Sequence, residues 1–131
     1  MFAHLTLPTQ HVEATTRFIE HTLGYRRKTV PANSPVDACW LDIGQGQELH
    51  VFFVEGFVVS PFEAEFGRHV ALFHPRDEFP AVRQRIVDAG GELVEPLRPT
   101  PFERLFFREP VNGYLFELID RERHRQILEE A

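Results

Sequence analysis

His69-Val70-Ala71-Leu72-Phe73 opens on a histidine, alternates like a half-buried strand and ends at Pro75; the chain begins the same way at His4-Leu5-Thr6-Leu7. The segments downstream of the two stretches are also alike. After the first, Val12, Thr15, Ile19 and Leu23 recur at helical spacing, and Gly24 stands where a left-handed residue closes a helix. After the second, Phe79, Val82, Ile86 and Ala89 give the core face, and Gly90-Gly91 end it. Thr9 and Asp77 are the expected helix N-caps, and Pro8 is expected to stop the first strand. Pro80 sits in a first helical turn, where its missing N–H costs little. Three strands are then expected in each half, over 25–30, 38–43 and 48–54, and over 92–95, 102–108 and 114–119. Turn chemistry divides them at 31–35, 44–46 and 109–113. The charged tail 121–131 is expected to be a solvated helix.

Each half thus reads strand, helix, three strands, and the spacing supports a duplication. His4 to Gly24 is 20 positions and His69 to Gly90 is 21; His4 to His50 is 46 and His69 to Glu117 is 48. A repeat fixes which positions are equivalent. Here it pairs His4 with His69, and His50 with Glu117. Strand parity agrees. Leu5 and Leu7, Leu49 and Val51, Val70 and Leu72, and Phe116 and Leu118 take the faces under the helices. His4, His50, His69 and Glu117 all fall on the opposite faces. His74 has the wrong parity relative to His69, and His11, His21 and His124 fall on helix or loop surface.

With 131 residues and 15.2 kDa the chain has the length of one domain, 1–131, built of modules 2–55 and 67–120 with the tail beyond. Thirteen phenylalanines and a hydrophobic fraction of 43% are enough for a core. Fourteen basic against twenty acidic residues, a net charge of −6, argue against nucleic acid as a partner. A lone Cys39 excludes an intrachain disulfide framework and an all-cysteine zinc site. The apolar runs are too short to span a bilayer, and no secretory signal is visible, so a cytoplasmic protein with no membrane association is expected.

A single histidine on a strand is more often a hydrogen-bonded structural residue than a ligand. Here repeat, parity and residue type coincide, and they point to a metal site built from at least three of His4, His50, His69 and Glu117. Neutral imidazoles and a carboxylate suit divalent Zn, Ni, Co, Mn or Fe. Glu48 shares a face with His50, about 6.6 Å along the strand, and is an alternative ligand to it.

The doubled βαβββ pattern resembles the vicinal oxygen chelate superfamily of glyoxalase I, extradiol dioxygenases and bleomycin-resistance proteins. The resemblance is carried by His4-Leu-Thr-Leu before the helix ending Leu23-Gly24-Tyr25, by Gly67-Arg68-His69-Val70-Ala71-Leu72, and by Arg108-Glu-Pro-Val-Asn-Gly-Tyr-Leu-Phe-Glu-Leu118. Val111 adds one residue to that family's turn. The resemblance implies an α+β fold whose two modules form a cup-shaped mixed sheet around one divalent metal, with His4, His50, His69 and Glu117 at the ligand positions. It also implies a homodimer and a small-molecule substrate offering adjacent oxygens to the metal, with a lyase, isomerase or ring-cleaving dioxygenase reaction. Glu117 and His50 would handle the proton, His50 being either a fourth ligand or an acid–base. Trp40, Phe52 and Phe106 would line an apolar wall, and Arg104 and Arg108 would meet an anionic substrate group. The alternative is a metal-free small-molecule binder of the bleomycin-resistance type. The seventh strand carries Phe106 where extradiol dioxygenases use a tyrosine, and His50 stands where glyoxalase I commonly has a glutamate.

Overall fold

A computed structural model describes residues 1–130. They form two compact units, Met1–Val58 and the chain from Val59 onward. The first contains β1 (His4–Thr9), α1 (Val12–Leu23), β2 (Arg26–Lys28), β3 (Ala38–Gly44) and β4 (Gln47–Phe53). The second contains β5 (Val70–His74), a 3-10 turn (Arg76–Glu78), α2 (Phe79–Asp88), β6 (Glu92–Val94), β7 (Arg104–Arg108), β8 (Leu115–Asp120) and α3 (Arg121–Glu130). Each unit is one βαβββ module with a four-stranded mixed sheet, ordered β1-β4-β3-β2 and β5-β8-β7-β6. The parallel pair in each is the first strand with the last, which the intervening helix makes possible.

Alternation separates two faces in both sheets. In the first unit Leu7, Leu41, Leu49 and Val51 are fully buried, along with Ile19 of α1. In the second Val82 and Ile86 of α2 are buried with Phe107, Phe116 and Leu118, and the Phe107 and Phe116 rings stack 5.5 Å apart. Each such side chain contributes about 1.5–3 kcal/mol on burial. His74 lies on this core side, 6.3 Å from the Phe79 ring, as its parity requires. Among the described residues no helix is long and apolar enough to cross a membrane.

Local chemistry departs from expectation in four places. β1 runs through Pro8 to Thr9, because it is an edge strand and a residue lacking an N–H is tolerated there. Thr9 does not cap α1: its hydroxyl accepts the His11 N–H at 3.0 Å and bonds Thr15 Oγ1 at 3.0 Å, and the helix starts after His11. Asp77 is inside the 3-10 turn, and α2 follows without a side-chain cap. β7 starts at Arg104, since Pro99 and Pro101 remove donors from the preceding segment and Thr100 Oγ1 bonds the Phe102 carbonyl at 2.6 Å.

The turn into β8 is built around Glu109, which is 1% exposed. Its carboxylate accepts the N–H groups of Val111 (2.8 Å), Asn112 (2.9 Å) and Tyr114 (3.2 Å). Gly113 completes the turn at φ +93°, a conformation that favours glycine. This carboxylate accommodates the extra residue, Val111, and delivers the chain into β8 in register.

Candidate functional site

In the first unit, β1 and β4 carry His4 and His50 on the face opposite the core. The Cα partner of His50 is Thr6, two residues beyond His4. The His50 ring is sandwiched: His4 stacks on one face at 4.0 Å and 8°, and Trp40 of the neighbouring β3 on the other at 3.9 Å and 4°. Phe52 meets it edge-on at 6.0 Å. His50 Nε2 lies 2.8 Å from Glu48 Oε1, and Lys28 Nζ bonds the other Glu48 oxygen. Hydrogen bonds from His50 and then Lys28 hold the Glu48 carboxyl below its usual range. An ionised carboxylate only accepts, so Nε2 carries the proton in this contact. The stack has a coordination consequence. An imidazole lone pair lies in its ring plane, so two parallel stacked rings do not both aim at one ion. As arranged, His4 and His50 are not two ligands of the same metal.

In the second unit, the Cα partner of Glu117 is Ala71, two residues beyond His69. His69 Nδ1 lies 3.2 Å from the Ala64 carbonyl oxygen, and Nε2 lies 3.1 Å from Glu117 Oε1. Because a carbonyl only accepts, Nδ1 is the donor and carries a proton. Nε2 and the carboxylate oxygen then need a cation between them, a proton or a metal. Two ligands about 2.1 Å from an ion and at right angles are roughly 3.0 Å apart, so this pair fits a divalent metal. The Phe106 ring meets His69 edge-on at 5.6 Å.

The two arginines are engaged with protein. Arg104 Nη1 donates to Glu117 Oε2 at 3.1 Å, and Nη2 reaches Glu65 Oε2 at 3.3 Å and the Arg98 carbonyl. Glu65 also accepts the N–H groups of Leu97 (2.6 Å) and Arg98 (3.0 Å). Burial pushes the Glu65 carboxyl up, but those amides and Arg104 outweigh it and hold the group below its usual range. Arg108 donates to the Glu63 carbonyl at 2.9 Å and the Gly113 carbonyl at 3.4 Å, bracing the turn into β8. Sequence reasoning missed Lys28 and Glu65; one lies on a three-residue edge strand and the other in a loop, where neither period nor repeat marks a residue.

Among the described residues no three His, Cys, Asp or Glu side chains gather as a metal-holding group, so each unit presents a pair. A cavity of about 880 Å³ in the second unit lies at the far ends of β5 and β8, lined by Phe73, His74, Phe102, Asp120 and Arg121 among others, and includes neither His69 nor Glu117. A smaller one, about 300 Å³, is lined by Leu97, Arg98, Phe102 and Arg104.

Mixed βαβββ modules that set a histidine at the start of the first strand, near a ligand-type residue on the last, define a class, and sequence comparison specifies it. The chain belongs to the Glyoxalase/Bleomycin resistance protein/Dioxygenase superfamily, whose family model matches residues 1–118. Comparison with curated proteins finds no match. Among solved structures it is similar to the fosfomycin resistance protein FosX from Listeria monocytogenes, an E126Q mutant complexed with Mn(II) and 1S,2S-dihydroxypropylphosphonic acid. Identity there is 19%, with 96% of this chain and 97% of that one covered and a TM-score of 0.75. FosX from Mesorhizobium loti is 18% identical over 97% of both chains, with a TM-score of 0.70. The hypothetical protein SA1046 from S. aureus is 20% identical over 92% and 96%, at 0.66. These likenesses establish the fold.

Proposed function

We propose that the chain is a divalent-metal enzyme acting on a small molecule that offers two adjacent oxygens. His4, His69 and Glu117 serve as the metal's protein ligands, and His50 handles the proton. The observation that carries this reading is the His69–Glu117 pair, a ring nitrogen and a carboxylate oxygen 3.1 Å apart with the ring oriented by the Ala64 carbonyl. The L. monocytogenes FosX structure, with Mn(II) and a vicinal dihydroxy compound, is consistent with that substrate class.

When bound, the ion supplies a Lewis acid with open positions that draws negative charge onto substrate oxygens. The remaining roles fall to the chain itself. Glu48 and Lys28 fix His50 so that its proton traffic occurs at a held ring. Trp40 and Phe52 supply apolar surface beside His50, and Phe106 supplies it beside His69. Arg104 and Arg108 hold protein groups in place.

Elemental analysis of protein purified without an affinity tag tests the proposal. Stoichiometric divalent metal that disappears in His69→Ala is expected; no metal after reconstitution with Mn²⁺, Fe²⁺, Co²⁺, Ni²⁺ or Zn²⁺ refutes it in favour of a metal-free binder. Oxygen uptake with Fe²⁺ and catechols, set against methylglyoxal–thiol turnover, then separates the dioxygenase from the lyase branch.

A further inference from the structure

We infer that Arg104 is a positioning residue that reserves one oxygen of Glu117 for the metal, and that Glu65 in turn holds Arg104; this rests on the assignment of Glu117 as a ligand. Parity on β7 places Arg104 on the same face as Phe106, whose Cα partner is Glu117. The Arg104 side chain is 4% exposed, and those of Glu65 and Glu117 are 8% and 6% exposed. A guanidinium buried between two carboxylates is a fixed fork with little freedom to leave. It occupies Glu117 Oε2 at 3.1 Å, while Oε1 remains opposite His69 Nε2, also at 3.1 Å. Glu117 therefore presents a single oxygen and does not close on an ion with both.

Three further contacts keep the fork in place. Nη2 bonds Glu65 Oε2 and the Arg98 carbonyl, and the guanidinium lies 5.1 Å above the Phe106 ring. Glu65 is itself anchored by the Leu97 and Arg98 amides. The loop segments carrying residues 65 and 97–98 are thus tied to the ligand through one side chain. A clamped carboxylate is poorly placed to detach and shuttle a proton, so the clamp separates ligand duty at Glu117 from proton handling at His50. It also removes Arg104 from the groups free to meet a substrate anion.

Deleting the arginine alone would add uncompensated negative charge beside the ion and confuse orientation with attraction. Charge-conserving variants avoid this: Arg104→Lys, which keeps the charge but loses the fork, and the double variant Arg104→Gln/Glu65→Gln. Zn²⁺ affinity is read by competition with a chromogenic chelator and coordination by the Co²⁺ absorption spectrum, with apo-protein circular dichroism as the check on folding. Both variants are expected to bind Zn²⁺ about 10–100-fold more weakly and to change the Co²⁺ spectrum. Should either fail to fold, Glu65→Asp, which keeps the charge but shortens the arm that holds Arg104, is read in the same way, with at least a threefold loss expected. Affinities within twofold of wild type and an unchanged Co²⁺ spectrum, in a protein whose His69→Ala variant loses its metal, overturn the inference while leaving the metal assignment standing. A wild-type protein that binds neither ion overturns both.

Discussion

Replacing Glu109 with alanine tests whether a buried carboxylate, rather than the glycine alone, builds the turn that delivers Glu117. Three amide donors converge on the Glu109 carboxylate at 2.8, 2.9 and 3.2 Å, and the residue is 1% exposed. Hydrogen bonds to a charged acceptor contribute about 1.5–3 kcal/mol each, and buried donors left without an acceptor cost about 1–3 kcal/mol each. Because the three share one acceptor group their losses do not add, and the net cost is about 3–5 kcal/mol. For a domain of this length that lowers the Tm by roughly 10–20 °C. Glu109→Gln keeps one acceptor oxygen but turns an NH₂ group toward a donor, so about half that loss is expected. Thermal unfolding of the apo-protein in chelator gives the shift free of metal effects. Since β8 starts at Leu115, the alanine variant is also expected to bind Zn²⁺ more weakly than wild type at temperatures where it is still folded. A fall of less than about 3 °C for Glu109→Ala would refute the reasoning.

Two other perturbations separate roles among the histidines. His50→Gln should retain full metal stoichiometry and lose most turnover, whereas His4→Ala and His69→Ala should lose the metal; loss of metal in His50→Gln as well would return His50 to the ligand set. Burial lowers the His74 pKa, with Arg85 adding to the fall and Glu78 and Asp77 opposing it. The unfolded chain therefore takes up this proton first, near pH 6.5. Stability linked to His74 is complete above that pH and is lost as pH falls toward the folded-state pKa, with a slope of at most about 1.4 kcal/mol per pH unit. Urea midpoints measured from pH 8 to pH 5 should fall less steeply in His74→Gln than in wild type, and parallel curves would contradict the assignment.

The fold was legible because it repeats. Each module restates the same order of periods, and parity alone put Leu7, Leu49, Val51, Phe116 and Leu118 on the buried faces. Parity also kept His74 apart from His69. Contacts set by side-chain reach leave no such trace in the pattern. Thr9 has the composition of an N-cap but spends its hydroxyl on the His11 amide and Thr15. Arg104 and Arg108 have the parity of substrate-facing residues, yet both guanidiniums bond protein acceptors. Glu65 lies in a loop and pairs with Arg104 from 39 positions away, a separation no local period encodes. The stacking of His4 on His50 is likewise a rotamer-level fact, and the Glu48 contact made by His50 is what distinguishes two ligand candidates that the spacing treats alike.

The duplication also explains why the two pairs differ in chemistry while agreeing in position. His50 aligns with Thr6, two residues past His4, and Glu117 aligns with Ala71, two residues past His69. The third strand of each sheet adds an aromatic directly across, Trp40 against His50 and Phe106 against Glu117. Identical registers on two sheets yield equivalent sites, so the differences lie in side chains alone. In the first unit a Lys28–Glu48 ion pair backs an imidazole, which has two nitrogens and can pass a proton between them. In the second a Glu65–Arg104 ion pair backs a carboxylate, which it pins by one oxygen. A supported imidazole suits a proton carrier, and a pinned carboxylate suits a fixed ligand. The opposite assignment would ask the clamped group to move and His50 to coordinate through a ring whose Nε2 is already held by Glu48. The geometry within each unit disfavours both halves of that exchange.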